Sequence, residues 1–272
     1  MSGNQGGVVK SSSGWLTVAG LGLGAMTVAW AHVSMGGNLA LFAQPEAIAV
    51  VFGGTVAALL VSYPYATIRS TVAGLVALGD RRAVPLEALV PVFIDYARKA
   101  RKHGLIAVER DVNRTGDVFL ARAVTLCCTG LAVNVVREAL EIDARVLAER
   151  DDDHAEVLEA AAGYAPTLGI VGAVLGLMRV MQHFSSPAGV GDGISAAFVA
   201  TVFGVGGANL VFLPLATRLR ARARQDALRR ALVIDGVLAL RDGNSPGVLE
   251  ERLAGYLTLD PPNPLRAAAE VA

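Results

Sequence analysis

The distribution of charge constrains this chain more than any other feature. No Asp, Glu, Lys or Arg lies between Lys10 and Glu46, and residues 47–68, 160–178 and 193–217 are equally free of them. Each run reaches the roughly 17 to 25 residues that a helix needs to cross a hydrocarbon core about 30 Å thick. Only 18% of the 272 residues are charged, against about 25% in a soluble domain. The expected fold is therefore all-α, a polytopic membrane protein with four transmembrane helices. A soluble bundle would have to hide four such runs at once. Ala29-Trp30-Ala31 has the small-x-small form of a signal cleavage site. Against a cleaved leader stand the single lysine before it and the three spans that would remain.

Basic residues give the sidedness. Of 24 Lys and Arg, thirteen fall in residues 69–159, nine follow Thr217, and Lys10 precedes the first run; the segments 34–45 and 184–192 have none. Lys and Arg collect on the cytoplasmic side, so both termini and the central segment are expected there, as an even number of spans requires. The expected organisation is a cytoplasmic stub 1–13, spans one and two within 14–68, a cytoplasmic helical domain 69–159, spans three and four within 160–217, and a cytoplasmic tail 218–272. Acidic and basic residues balance at zero net charge, which argues against a nucleic-acid partner. The adjacent Cys127 and Cys128 fall in the cytoplasmic segment, where thiols stay reduced and core packing is their simplest role.

Periodicity and breakers fill in the rest. The first span is expected over about residues 15–33, with Gly20 and Gly24 spaced for close helix contact. The second runs from Gln44-Pro45 to Tyr63-Pro64-Tyr65, aromatic residues that suit a membrane interface. Residues 86–103 read as an amphipathic helix stopped by Gly104, and 117–159 as one long helical run that continues unbroken into the third span. Spans three and four should thus extend beyond the bilayer as a cytoplasmic stalk. Arg218, Arg220, Arg222 and Arg224 form a basic flank suited to anionic lipid heads. The acidic triplet 151–153 reads as solvated. A helix to about Leu240, a turn at 243–246, a short helix over 249–257 and a disordered end are expected to follow.

No catalytic or metal-ligating constellation stands out, so neither an enzyme nor a cofactor site is expected. The informative feature is an absence: Glu46 and Asp192 sit at the external ends of their spans, and no span carries a carboxylate near its middle. A proton carrier normally needs an ionisable group within the membrane, so this chain must borrow one. Ala165, Gly169, Ala173 and Gly176 share one helix face, and Ala197, Thr201, Gly204 and Ala208 make a matching stripe. Such faces allow close packing, and Thr201 either lends a hydroxyl to water or an ion or simply bonds its own i−4 carbonyl. Pro166 enters the third span and Pro214 ends the fourth, framing the seam.

Several segments resemble the MotA family of flagellar motor stator subunits. They are Gln44-Pro45, Phe52-Gly53-Gly54-Thr55 and Tyr63-Pro64; then Tyr164-Ala165-Pro166-Thr167-Leu168-Gly169 with Gly172 and Gly176; then Ala200-Thr201, Phe203-Gly204, Ala208-Asn209-Leu210 and Pro214; and finally Ile234-Asp235-Gly236 with Gly243 and Pro246. The resemblance covers roughly residues 14–260. Related TolQ and ExbB subunits share the last two spans but have three in all, and a TolQ/ExbB-like energiser of a periplasmic envelope machine is the alternative reading.

The resemblance implies a subunit of the bacterial inner membrane, in a pentamer around two copies of a single-span MotB-like partner whose aspartate supplies the missing carboxylate. Ion flow there would drive the rotor protein FliG. It implies that Pro166 and Pro214 couple ion flow to conformational change and that Thr201 lines the ion path. Ala173 stands where proton-driven members tend to have alanine and sodium-driven ones threonine, which implies a proton as the transported ion. Arg101 and Glu109 match the pattern that contacts the rotor. Two departures are Arg179 in the third span, expected to snorkel to the interface or pair with Asp192, and Asp235 in place of a commoner Glu.

Overall fold

A computed structural model describes residues 13–78, 86–112 and 115–257, with side chains from Val18 onward. The expected N-terminal stub, apart from Ser13, and the expected disordered end lie outside these residues. In chain order the helices are α1 (Ser13–Ser34), α2 (Pro45–Ser62), α3 (Tyr65–Ala77), α4 (Leu86–His103), α5 (Leu105–Val112), α6 (Val118–Cys128), α7 (Val133–Gln182), α8 (Pro187–Arg241) and α9 (Pro246–Leu257). No strand occurs among the described residues. The α2, α7 and α8 helices are long and apolar enough to cross a membrane, and α1 is apolar from Val18 to Ser34. Only 17% of the apolar window in α2 is buried within the chain, so its remaining side chains need lipid or another subunit around them.

Helix boundaries follow local chemistry. The α4 helix buries Leu89, Val90, Phe93, Tyr96 and Ala97, one face at 3.6-residue spacing. It stops where Gly104 takes φ +79°, a left-handed conformation that glycine adopts without steric cost. The expected single run over 117–159 is instead two helices. Gly130, at φ +77°, ends α6 and lets α7 start afresh at Val133. Asp117 caps α6 by accepting the Leu120 N–H at 3.1 Å.

From Val133 the expectation of unbroken helix holds for 50 residues, about 75 Å of helix, through Gly163 and Pro166. Pro214 does not end the helix, because α8 runs past it to Arg241. The reason lies one turn earlier. Residues Gly207–Phe212 are π-helical, closing with Leu213 N–H on the Ala208 carbonyl, and this wider turn accommodates a proline that can neither donate to residue 210 nor tolerate its carbonyl close by. A second π-helical turn, Ala49–Gly53, lies inside α2.

The chain divides into two compact units, Met1–Arg81 with Asp152–Arg220 and Arg82–Asp151 with Ala221–Ala272, taken here over their described residues. In the first, Ala47, Val51, Ala165, Val199 and Ala200 form a small core flanked by Phe42, Phe52, Phe203 and Phe212. In the second, Phe93, Leu140, Leu232, Leu238, Leu249 and Leu253 are buried together. A methyl on Gly236 would fall 2.6 Å from the Phe93 ring, so glycine is required there. Arg229 pairs with Asp117 at 2.5 Å and Arg230 with Asp151 at 2.6 Å. Asp151 is thus a tie and not a merely solvated member of its triplet.

Candidate functional site

The seam between α7 and α8 brings the two backbones close together. A methyl on Gly204 would lie 2.6 Å from the Ala165 carbonyl oxygen and 3.2 Å from Pro166 Cα. One on Gly176 would lie 2.7 Å from the Ala197 nitrogen, and one on Gly172 would lie 2.6 Å from Ala200 Cβ. The packed faces are therefore Ala165, Gly169, Gly172 and Gly176 against Gly193, Ala197, Ala200 and Gly204.

This corrects the expected stripes. Ala173 and Thr201 are half-buried and border the contact, while Gly172 and Ala200 take its centre. The physical reason is helix periodicity: 169, 172 and 176 fit one face as well as 169, 173 and 176, and the absence of a Cβ decides which row goes inward. The Gly-x-x-Gly-x-x-x-Gly spacing was the signal for it.

Thr201 sits beside this seam, its Cα 3.5 Å from where a methyl on Gly169 would be. Its hydroxyl donates to the Ala197 carbonyl at 3.1 Å. A hydroxyl carries one hydrogen and two lone pairs, so with the hydrogen committed to Ala197, the oxygen presents acceptor character only. Thr55 is buried on α2 and donates to Val51 at 2.6 Å.

Pro166 stands within the packed seam, where its missing N–H leaves the Ala162 carbonyl without its helical partner. Pro214 is exposed just after the π-helical turn. That turn approaches α2, since a methyl on Gly207 would lie 3.2 Å from the Phe52 ring. Gly24 packs near Leu210, whereas nothing lies within 4 Å of a methyl on Gly20, so only one of the two expected contact glycines is used within the chain.

Polar contacts cluster toward one end of the same unit. The Ser62 and Tyr164 hydroxyls are 2.9 Å apart, the Tyr63 hydroxyl donates to Glu156 at 3.3 Å, and Arg220 pairs with Glu159 at 2.7 Å. Arg222 lies 3.7 Å from Asp226. Arg220 and Arg222 of the expected basic flank therefore make ion pairs within the chain. Arg179 is exposed and forms no ion pair with Asp192 or any other described residue.

In the other unit, Arg101 lies exposed in the last turn of α4. Glu109 follows on α5, beyond the Gly104 turn, and accepts a hydrogen bond from Thr125 at 2.8 Å. The two do not pair with each other among the described residues. Asp235 is more than a neutral replacement for Glu: it accepts from Tyr256 at 2.6 Å and pairs with Arg252 at 3.1 Å and Arg137 at 3.7 Å. Burial first, and then the Asp235 carboxylate, push the Tyr256 hydroxyl up to about 12. Cys127 is buried and Cys128 half-buried, and burial pushes the Cys127 thiol up to about 11. Among the described residues no group of three His, Cys, Asp or Glu side chains is placed to hold a metal ion.

Comparison with known proteins agrees with this arrangement. The MotA/TolQ/ExbB proton channel family matches residues 111–231. Motility protein A of Bacillus subtilis (strain 168) is 30% identical over 226 residues, covering 83% of this chain and 84% of its own. Chemotaxis protein PomA of Vibrio alginolyticus is 31% identical, with 82% and 87% covered. The structure of C. jejuni MotAB superposes with a TM-score of 0.82 at 26% identity, covering 90% of this chain and 96% of that one. The flagellar MotAB stator complex from Bacillus subtilis gives a TM-score of 0.81 at 29% identity, with 89% and 95% covered. With relatives of this identity matched along most of their length, the chain belongs to the MotA/TolQ/ExbB proton channel family, on its motility protein A branch.

Proposed function

We propose that this chain is the ion-conducting stator subunit of a bacterial flagellar motor, and that its work is transport and force generation, not catalysis. It sits in the inner membrane with four spans and both termini in the cytoplasm, as the uneven distribution of Lys and Arg supports. A single-span MotB-like partner supplies the membrane carboxylate that these spans lack, and several copies of this chain, a pentamer, surround two copies of that partner. The transported ion is a proton: Ala173 offers a methyl where a dehydrated sodium ion would require oxygen, whereas a proton can relay through water. No cofactor is needed. Torque passes to the rotor protein FliG through the surface carrying Arg101 and Glu109. The motility relatives favour this reading over an envelope energiser.

The observation that carries the proposal is the Thr201 oxygen. It offers lone pairs beside a closely packed seam that holds no charged side chain and that includes Pro166. One charge crossing 100 mV releases about 2.3 kcal/mol, enough to shift a balance between two packings by well over tenfold.

Thr201→Val keeps the shape and removes the oxygen. It should leave the subunit in the membrane at normal level while reducing proton flux and swimming speed. Normal flux and swimming in that variant would remove Thr201 from the ion path.

A further inference from the structure

The α7 face that carries Ala173 continues toward Val133 beyond the uncharged run. Glu159, Pro166 and Ala173 follow at intervals of seven, so each is only about 20° out of register with the next. Residues 160–178 hold no Asp, Glu, Lys or Arg, and Glu159 is the first carboxylate met on this face below the seam. It lies about 10 Å along the helix from Pro166 and about 21 Å from Ala173. Glu156 belongs elsewhere: it stands about 100° round the helix from Ala173, and the Tyr63 hydroxyl, just past the end of α2, donates to it. Glu159 is gripped from the facing helix. Arg220 of α8 places Nη1 2.7 Å from Oε1 and Nη2 3.0 Å from Oε2, a fork on both carboxylate oxygens. The side chains are 44% exposed for Arg220 and 37% for Glu159, so water reaches the pair. An ion pair this exposed adds little as a tie between helices. Each carboxylate oxygen also keeps acceptor capacity beyond the bond it takes from the guanidinium.

We infer that Glu159 is the group through which protons leave the seam, with Arg220 as the positioning residue that holds its carboxylate at the mouth. The inference rests on the proton-driven stator reading. A proton arriving through water bonds to one Glu159 oxygen, which gives up its hydrogen bond from Arg220. Transfer of that proton to cytosolic water restores the carboxylate and the fork. One proton enters and one leaves, and the protein is unchanged.

The test uses cells that lack any other stator and express the full chain with its single-span partner. Rotation of small beads, where load is low, is recorded in ordinary and in heavy water. Glu159→Gln keeps the shape and an acceptor for Arg220 but cannot take up the proton. Its speed should fall on the order of tenfold, and the ratio of speeds in ordinary and heavy water should rise above wild type. Glu159→Asp keeps the acid and should recover most of the speed. Arg220→Gln loses the fork and keeps the proton acceptor, so its speed should fall less and its ratio should match wild type. A helix tie predicts a different pattern, with equal losses for Glu159→Gln and Arg220→Gln and the wild-type ratio in both. That pattern, or a Glu159→Gln speed within about twofold of wild type, would overturn the exit. If Glu159→Gln does not rotate at all, rotation by Glu159→Asp supports the exit and its stall overturns it. Wild-type rotation that requires sodium would remove the proton reading and the exit with it, whereas proton-driven rotation with the tie pattern removes the exit alone.

Discussion

Gly204→Ala isolates the seam that the functional account depends on. The added methyl would sit 2.6 Å from the Ala165 carbonyl oxygen, 3.0 Å from Gly169 Cα and 3.2 Å from Pro166 Cα, all of them backbone atoms of the facing helix. No rotamer change can make room. Ordinary contact begins near 3.4 Å, so α7 and α8 must separate by about 0.8 Å at this crossing, which forfeits a quarter to a half of the local dispersion energy. Overpacking of this kind costs about 1 to 3 kcal/mol, partly offset by the roughly 1 kcal/mol that alanine gains over glycine within a helix.

Two residues along the same helix, Gly206→Ala meets nothing within 4 Å in the chain and keeps only the helical gain. Thermal unfolding of the detergent-purified complex should therefore place Gly204→Ala below wild type and Gly206→Ala at or above it. Swimming speed should fall for the first variant only. A melting temperature for Gly204→Ala equal to that of Gly206→Ala would refute the close-packed seam.

Further expectations concern the second compact unit and can be checked on the same preparation. Asp117→Ala removes both the α6 cap and the partner of Arg229, and should cost about 2 to 4 kcal/mol, with Asp117→Asn in between because it keeps the cap. Equal melting of the two variants would show that the cap contributes nothing. For Cys127, burial raises the thiol to about 11, so at pH 8 only on the order of one molecule in a thousand carries the reactive thiolate. Alkylation at Cys127 should be slower than at half-buried Cys128 and should accelerate as pH rises toward 11, as peptide mapping by mass spectrometry would show. Faster labelling of Cys127 would contradict its burial.

Much of the fold was legible because its signals are strong and local. The uncharged runs mark apolar helices, Gly104 and Gly243 mark stops, and the lack of any early breaker after Val133 marks the 50-residue helix. The break at Gly130 was legible in principle, but glycine within an apolar period also fits a helix interior, and only the tertiary setting selects the left-handed conformation.

The fate of Pro214 was not legible, because a π-helical turn depends on how the helix is widened by its neighbours and leaves no period of its own in sequence. In the seam, the choice between Gly172 and Ala173 turns on less than a third of a helical turn, finer than spacing alone resolves.

The central claim is that this chain conducts protons to drive a motor, and bead rotation in cells that lack any other stator tests it most directly. The cells would express this chain with its single-span partner, and motor speed would be followed while a protonophore is added or sodium is withdrawn. The account predicts rotation that falls as the protonophore collapses the proton gradient and that is unchanged without sodium. Rotation that stops on sodium withdrawal would contradict the proton reading, and a complete failure to rotate with both proteins in the membrane would contradict the stator assignment itself.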